Sequence, residues 1–345
     1  MNAYEPLTGN GNRTIDMTHG SGGRAMASLI RDLFHKHLGN PHLAAGNDGA
    51  VLSLPQGRVV MSTDGHVISP LFFPGGDIGC LAVHGTVNDV AMMGARPLYL
   101  TVGFILEEGF PLIDLERIVV SMATAAREAG VQIATGDTKV VEKGKGDGVF
   151  ITTTGLGIVP DGIKLSGDQA RPGDKIIISG TIGDHGVAIL SKRQNVEFET
   201  EICSDTAALH GLVATMLASV PDLNVLRDPT RGGLGATLNE IAQQSRVGMV
   251  LDERTIPIRP DVAAACELLG LDPLYVANEG KLIAICPADK ADRLLGVMRA
   301  HPLGLDAAII GDVTADKHAM IQMRTKFGGA RVVDWLAGEQ LPRIC

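Results

Sequence analysis

Aromatic residues are scarce: Trp, Tyr and Phe make up 3% of the chain, with a single tryptophan. A core without them has to come from Ala, Val, Leu and Ile. The 45% hydrophobic content supplies it and excludes a disordered polypeptide. Positive charge is also short, with 30 Lys and Arg against 39 Asp and Glu, a net charge of −9. Such a chain is a poor match for nucleic acid or an anionic membrane, and neither is expected as a partner. No apolar run approaches the roughly 20 residues of a membrane helix. The opening MNAYEPLTGNGNRT has neither the basic start nor the apolar stretch of a signal peptide. The five cysteines (Cys80, Cys203, Cys266, Cys286, Cys345) form no C-x-x-C pair and are odd in number. A disulfide framework is therefore not expected, and a reducing cytoplasm is the expected compartment.

Glycine is in excess, 43 of 345 residues against roughly 7% in average proteins, without a repeat or low-complexity tract. The glycines therefore mark particular turns and loops. At roughly 150 residues per domain the length suggests two domains. Spacing and breakers predict helices over 23–38, 77–93 and 112–129, and strands over 50–54, 58–63, 98–106, 131–136 and 148–158. The aperiodic VPDGIKLSGDQARPGD, 159–174, marks the domain boundary. Beyond it we expect strands over 175–179, 247–251, 281–286 and 307–313, and helices over 184–193, 204–218, 233–244, 260–269 and 288–299. Strands and helices alternate without the regular spacing of a doubly wound sheet, which predicts an α+β or mixed α/β fold. The partition is an extension (1–16), a first domain (17–160), a second domain (170–335) and an exposed, flexible tail (336–345).

Four signals carry chemistry. The loop His19-Gly20-Ser21-Gly22-Gly23-Arg24 opens the first helix, where unpaired N–H groups and bare glycines admit an anion and Arg24 adds a bidentate contact. A flexible loop with a serine cap is the competing account. The loop is neither G-x-x-x-x-G-K-[ST] nor G-x-G-x-x-G. The second signal is a set of aspartates among small residues: Asp48 (GNDGA), Asp64 (MSTDG), Asp89 (TVNDVAMMGA) and Asp137 (ATGDTK). Asp89 is a charge inside an apolar helix and needs a partner such as Asn88, an arginine or a metal. Hard oxygen donors without Cys/His spacing suit Mg²⁺. Each aspartate alone is also a plausible turn or cap residue.

The third signal is Arg227-Asp228-Pro229-Thr230-Arg231-Gly232-Gly233-Leu234-Gly235, a second glycine-rich helix start that is either an anion site or a tightly packed cap. Nearby, Glu279 in NEGKL is a general base or a turn residue, and His84 a proton carrier or a satisfied core histidine. The fourth is the end of the chain, Pro342-Arg343-Ile344-Cys345. A terminal thiol is a liability unless used, and on a tail it acts as a swinging carrier; its own α-carboxylate raises its pKa.

Together these motifs resemble the HypE family of carbamoyl dehydratases in hydrogenase maturation. That family shares a superfamily with aminoimidazole ribonucleotide synthetase (PurM) and selenophosphate synthetase. The resemblance runs from residue 17 to 345 and includes HGSGGRAM, STDGHVISPLFFPGGDIGCLAVHGTVNDVAMMGA, GFILEEG, TGDTKVV, SGTIGDHG, RDPTRGG, ELLGLDP and NEGKL. The closing PRIC is its most specific piece.

The resemblance implies a PurM-like first domain that pairs with a second copy into a dimeric β-barrel core, with a C-terminal α+β domain beside it. It implies ATP bound by the 19–24 loop with Asn88, Thr138 and Arg231, and Mg²⁺ held by Asp48, Asp64, Asp89 and Asp137. In the implied reaction the HypF carbamoyltransferase loads Cys345, ATP-dependent dehydration leaves a thiocyanate, and the cyano group passes to iron on a HypC–HypD complex. Glu279 and His84 are the candidate bases there, and Lys139 a phosphate partner. Two rivals are a selenophosphate-synthetase-like kinase and a non-catalytic thiol carrier. The kinase needs its reactive residue near the N-terminal glycine loop, whereas the first cysteine here is Cys80. The carrier has no use for the acidic set or two anion sites.

Overall fold

The computed structural model describes residues 13–194, 201–336, 338 and 343–345. The expected extension over 1–12, and tail positions 337 and 339–342, lie outside the described residues. Residues 13–16 are not detached. Ile15 is buried in the core, and its N–H donates to the Phe110 carbonyl over 2.8 Å.

In the first half, α1 (Arg24–Leu29) runs through a π-helical stretch, Ile30–His35, into α2 (Lys36–Leu38), followed by a short α3 (Pro41–Ala44). Then come β1 (Arg58–His66), β2 (Phe72–Phe73), β3 (Gly76–Asp77), α4 (Ile78–Met92), β4 (Arg96–Glu107), α5 (Leu112–Glu128), β5 (Gln132–Val141) and β6 (Val149–Val159). Four strands make a sheet in the order β1-β6-β4-β5, antiparallel except for the β4–β5 pair. Asp77 caps α4 by accepting from the N–H groups of Gly79 and Cys80. That helix is apolar on nearly every side because the sheet covers one face and the second half of the chain another. The opposite face of the sheet is open, with Val59, Met61 and Ile105 at 52%, 67% and 41% exposure.

The strand expected over 50–54 does not form, and Val51 is exposed there. A short β-prone run becomes a strand only where an edge offers it hydrogen bonds, and among the described residues none does.

The second half contains β7 (Lys175–Ile178), α6 (Asp184–Gln194), α7 (His210–Ser219), β8 (Val225–Arg227), α8 (Gly233–Ser245), β9 (Gly248–Asp252) and α9 (Pro260–Leu269). After these follow β10 (Ile283–Cys286), α10 (Ala288–Arg299), β11 (Ala308–Thr314), β12 (Ile321–Arg324) and β13 (Ala330–Val332). Its seven-stranded sheet runs β13-β12-β9-β11-β7-β10-β8. The architecture is mixed α/β, as expected. The helix expected from 204 starts only at His210, because the preceding residues are tied elsewhere: Ser204 N–H to the Pro74 carbonyl and Ala207 N–H to that of Glu279. The short strands β8, β12 and β13 were not foreseen.

The two halves share apolar packing, since Val187, Ala188 and Ile189 of α6 join the cluster that holds Ile78 and Leu81 of α4. Ile344 joins it too, at 3% exposure. The expectation of an exposed end is corrected for Ile344, which is buried, and Cys345, which is half-buried, while Arg343 is exposed. They are held by main-chain hydrogen bonds, which leave no trace in residue periodicity. Among the described residues no helix is long and apolar enough to cross a membrane.

Candidate functional site

The last three residues lie alongside the segment that follows β1. Val67 N–H donates to the Cys345 carbonyl over 3.1 Å, and Ser69 N–H to that of Arg343 over 3.3 Å. This turns the half-buried Cys345 inward, with its Sγ 3.6 Å from Nη2 of Arg231. Arg231 stands at the glycine-rich start of α8. Burial pushes the Cys345 thiol up to about 11, aided by the nearby Glu279 carboxyl and opposed by Arg231.

Glu279 is buried, and its Oε1 has no hydrogen-bond partner. Burial raises its pKa well above the usual range, and the carboxyls of Asp205, Asp228, Asp64 and Asp89 raise it further. Beneath it lies an ion pair, Lys281 Nζ to Asp205 Oδ2 at 2.9 Å, with side chains 13% and 5% exposed. Asp205 also accepts from the Glu279 N–H over 3.0 Å. This closeness requires Gly280, because a Cβ there would lie 1.7 Å from the Asp205 carbonyl oxygen.

Asp64 on β1 and Asp89 on α4 face the same space. Ser62 Oγ donates to Asp89 over 2.6 Å, and burial together with the Asp64 carboxylate raises Asp89. Asp228 is pushed up to about 7, first by burial and then by Asp89. Mutually repelling carboxylates beside an orphaned buried oxygen have the donor chemistry a hard cation takes. Among the described residues of one chain, however, no three ligating side chains are disposed to cage a metal.

The glycine loop and Asp137, Thr138 and Lys139 lie along β5, the opposite edge of the sheet. Gly20 packs on it so closely that a Cβ would meet that of Val140 at 2.9 Å. His19 is buried, with Nδ1 accepting from the Asp16 N–H. Ser21 donates to the Thr18 carbonyl, and Gly22, Gly23 and Arg24 are exposed. Lys139 Nζ pairs with Asp137 at 2.7 Å, and the buried Thr138 donates its N–H to the same carboxylate. An apolar cleft between α1 and the sheet, lined by Met26, Ile30, Phe34, Leu38 and Ile133, opens at Asp137 and Thr138.

The chain thus brings Cys345, Glu279, Arg231, Asp64 and Asp89 to one edge, and the glycine loop with Asp137, Thr138 and Lys139 to the other. The two edges are three strand spacings apart, roughly 14 Å. Asp48 lies in an exposed loop. His84 Nδ1 is hydrogen-bonded to Thr206 Oγ1, and burial and His210 push the imidazole down to about 4, so it is neutral at pH 7. The amide of Asn88 donates to the Ala207 carbonyl and accepts from Leu209 N–H, pinning α4 to the second half. Sequence reasoning passed over Asp228, Asp205, Lys281 and His185. Asp228 and His185 lie inside RDPTRGG and SGTIGDHG, so the motifs held the signal.

Residues 46–159 match the family model for the N-terminal domain of AIR synthase related proteins, and residues 171–324 the model for their C-terminal domain. The chain is 71% identical over 334 residues to carbamoyl dehydratase HypE of Azotobacter vinelandii, covering 97% of this chain and 98% of that one. It superposes on a crystal structure of hydrogenase maturation protein HypE in complex with ATP with a TM-score of 0.92, at 54% identity, covering 95% of this chain and 99% of that one. Against a HypE–HypF complex the TM-score is 0.79 at 47% identity, covering 90% of this chain and 100% of that one. The chain therefore belongs to the HypE family of carbamoyl dehydratases, with the two-domain PurM-like architecture of AIR synthase related proteins.

Proposed function

We propose that the chain uses ATP to dehydrate a carbamoyl group carried on Sγ of its own Cys345 to a thiocyanate. The product supplies cyanide ligands in hydrogenase maturation. The observation that carries this reading is the last sulfur, turned inward against Arg231 and Glu279. An amide oxygen is a poor leaving group, and ATP supplies the γ-phosphoryl group that makes it a good one. The balance is S–C(=O)–NH₂ plus ATP giving S–C≡N, ADP and inorganic phosphate, with the amide oxygen leaving in the phosphate. One N–H proton departs as the oxygen takes the phosphoryl group, the second as phosphate leaves. Glu279 is the base we assign to these protons, because its Oε1 is buried without a hydrogen-bond partner beside Cys345, and a carboxyl raised by burial is the stronger base. His84 is the weaker candidate, since its hydrogen bond goes to Thr206. Arg231 neutralises charge building on the amide oxygen.

The apolar cleft beside α1 suits a nucleotide base, with the 19–24 loop, Thr138 and Lys139 beside its phosphates. Mg²⁺, when bound, neutralises phosphate charge, and Asp48, Asp64, Asp89 and Asp137 are the oxygen donors we assign to it. Asp64 and Asp89 stand at one edge of the sheet and Asp137 and Lys139 at the other, so we propose a homodimer in which the β1 edge of one copy meets the β5 edge of the other. Closing two sheets into a barrel in this way would also cover Val59, Met61 and Ile105. HypF is the proposed carbamoyl donor and a HypC–HypD complex the cyanide acceptor, in the cytoplasm.

The test is ATP turnover and mass spectrometry of the C-terminal peptide for the wild type and Cys345→Ala, each with the carbamoyl donor system. A 25.0-unit residue mass gain on Cys345 only in the wild type, for cyano replacing hydrogen, is expected by atom balance at roughly that value. Equal ATP turnover in both proteins would overturn the reading.

A further inference from the structure

The tail is gripped by one helix. His185, at the start of α6, is fully buried, and its Nε2 lies 2.8 Å from the carbonyl oxygen of Ile344. A carbonyl only accepts, so Nε2 carries the hydrogen, and Nδ1 accepts from Ser204 Oγ at 2.7 Å. The ring packs edge-on against Phe73, with centroids 5.7 Å apart, which fixes its orientation. At the other end of α6, Arg193 Nη2 donates to the Arg343 carbonyl over 2.7 Å, while Nε and Nη2 also donate to the Ser69 carbonyl over 2.9 and 2.7 Å. Arg193 thereby ties together the two strands of the tail's main-chain pairing.

We propose that His185 and Arg193 are positioning residues for the dehydration step, holding residues 343 and 344 by their carbonyls so that Sγ of Cys345 stands beside Arg231 and Glu279. This rests on the reading of Cys345 as substrate. Neither contact touches the Cys345 side chain. The same dock therefore accepts the thiol, the carbamoyl and the cyano form, and the grip acts on where the sulfur sits rather than on its chemistry.

The experiment loads Cys345 of the full chain with carbamoyl from the HypF donor system, adds ATP and follows the C-terminal peptide by mass spectrometry. Arg193→Met, His185→Leu and His185→Gln are compared with the wild type. Arg193→Met and His185→Leu are expected to slow conversion of the loaded form roughly 10-fold or more, with the KM for ATP unchanged. His185→Gln is expected to recover most of the rate, because its amide N–H replaces the Nε2 donor. Wild-type rates in Arg193→Met and His185→Leu overturn the proposal, as does a raised KM for ATP with an unchanged rate at saturation. Should His185→Leu fail to fold by circular dichroism, Arg193→Met, at the half-exposed end of α6, decides alone. A wild type that loads carbamoyl but forms no thiocyanate sinks the parent reading instead.

Discussion

Nη2 of Arg231 stands 3.6 Å from Sγ of Cys345, although 114 positions separate them in the chain. The contact joins the glycine-rich entry of α8 to the last residue. Removing a single preorganised charged donor from a reaction centre typically costs about 100-fold in rate. Arg231→Ala should lower single-turnover conversion of the carbamoyl group by that order. Arg231→Lys should recover part of it, because it keeps the charge and loses the planar fork. Conversion at the wild-type rate in Arg231→Ala would remove the arginine from the reaction.

The thiol itself titrates late. With Cys345 held at about 11, the docked sulfur is protonated at neutral pH and becomes thiolate only as pH rises through that value. At pH 8 the thiolate fraction is ~0.1%, against roughly 10% for a thiol of pKa 9. Iodoacetamide alkylation of Cys345 should therefore climb with pH beyond 10. Glu279→Gln should shift the profile downward by removing a carboxyl that opposes the thiolate. A profile with its midpoint near 9 in both proteins would contradict the buried placement.

Lys281 and Asp205 form a buried ion pair under Glu279. Burial alone would raise the Asp205 carboxyl, but Lys281 and the Glu279 N–H hold it below the usual carboxylate range. A depressed carboxyl contributes stability that is present above its unfolded value and lost as pH falls through the folded one. The contribution is thus intact at neutral pH and disappears in acid below about 4. Lys281→Met should cost about 3–5 kcal/mol at pH 7 by leaving a buried carboxylate alone, and Lys281→Met with Asp205→Asn should cost less. Urea midpoints between pH 3 and 7 measure both effects.

Intersubunit complementation tests the two-edge arrangement. Asp64→Asn and Asp137→Asn should each abolish ATP-dependent dehydration. If β1 of one copy meets β5 of the other, a mixed dimer has one doubly altered site and one intact site. Dissociating and reassociating an equimolar mixture should then restore about a quarter of wild-type activity. No recovery places both aspartates in a single-chain site.

Much of the scaffold was legible in the residues. The small and apolar run over 77–93, the glycine that ends it and the helical spacing over 112–129 fix those helices locally, and the structure contains them as α4 and α5. The strand over 50–54 failed because forming a strand depends on a partner edge, which no window of sequence contains. The N–H groups of 204–208 were already engaged elsewhere, which moved the start of α7. At the site, Glu279 and Arg231 stood out through their glycine neighbours. Asp228 and His185 matter through what surrounds them after folding: a carboxyl placed against Asp89, and an imidazole placed against a carbonyl at the far end of the chain.

The docking of residues 343–345 bears on how readily Cys345 is loaded. Two main-chain hydrogen bonds, the His185 and Arg193 contacts and the burial of Ile344 together favour the inward state by on the order of 3–5 kcal/mol. The undocked form is then about 1 molecule in 160 to 1 in 5,000. A carbamoyltransferase that needs the sulfur outside would capture this rare population, and its apparent affinity is weakened by the same factor. Each loading event must therefore supply this free energy, and the requirement falls where a partner's surface offers the released residues a replacement for their lost carbonyl contacts.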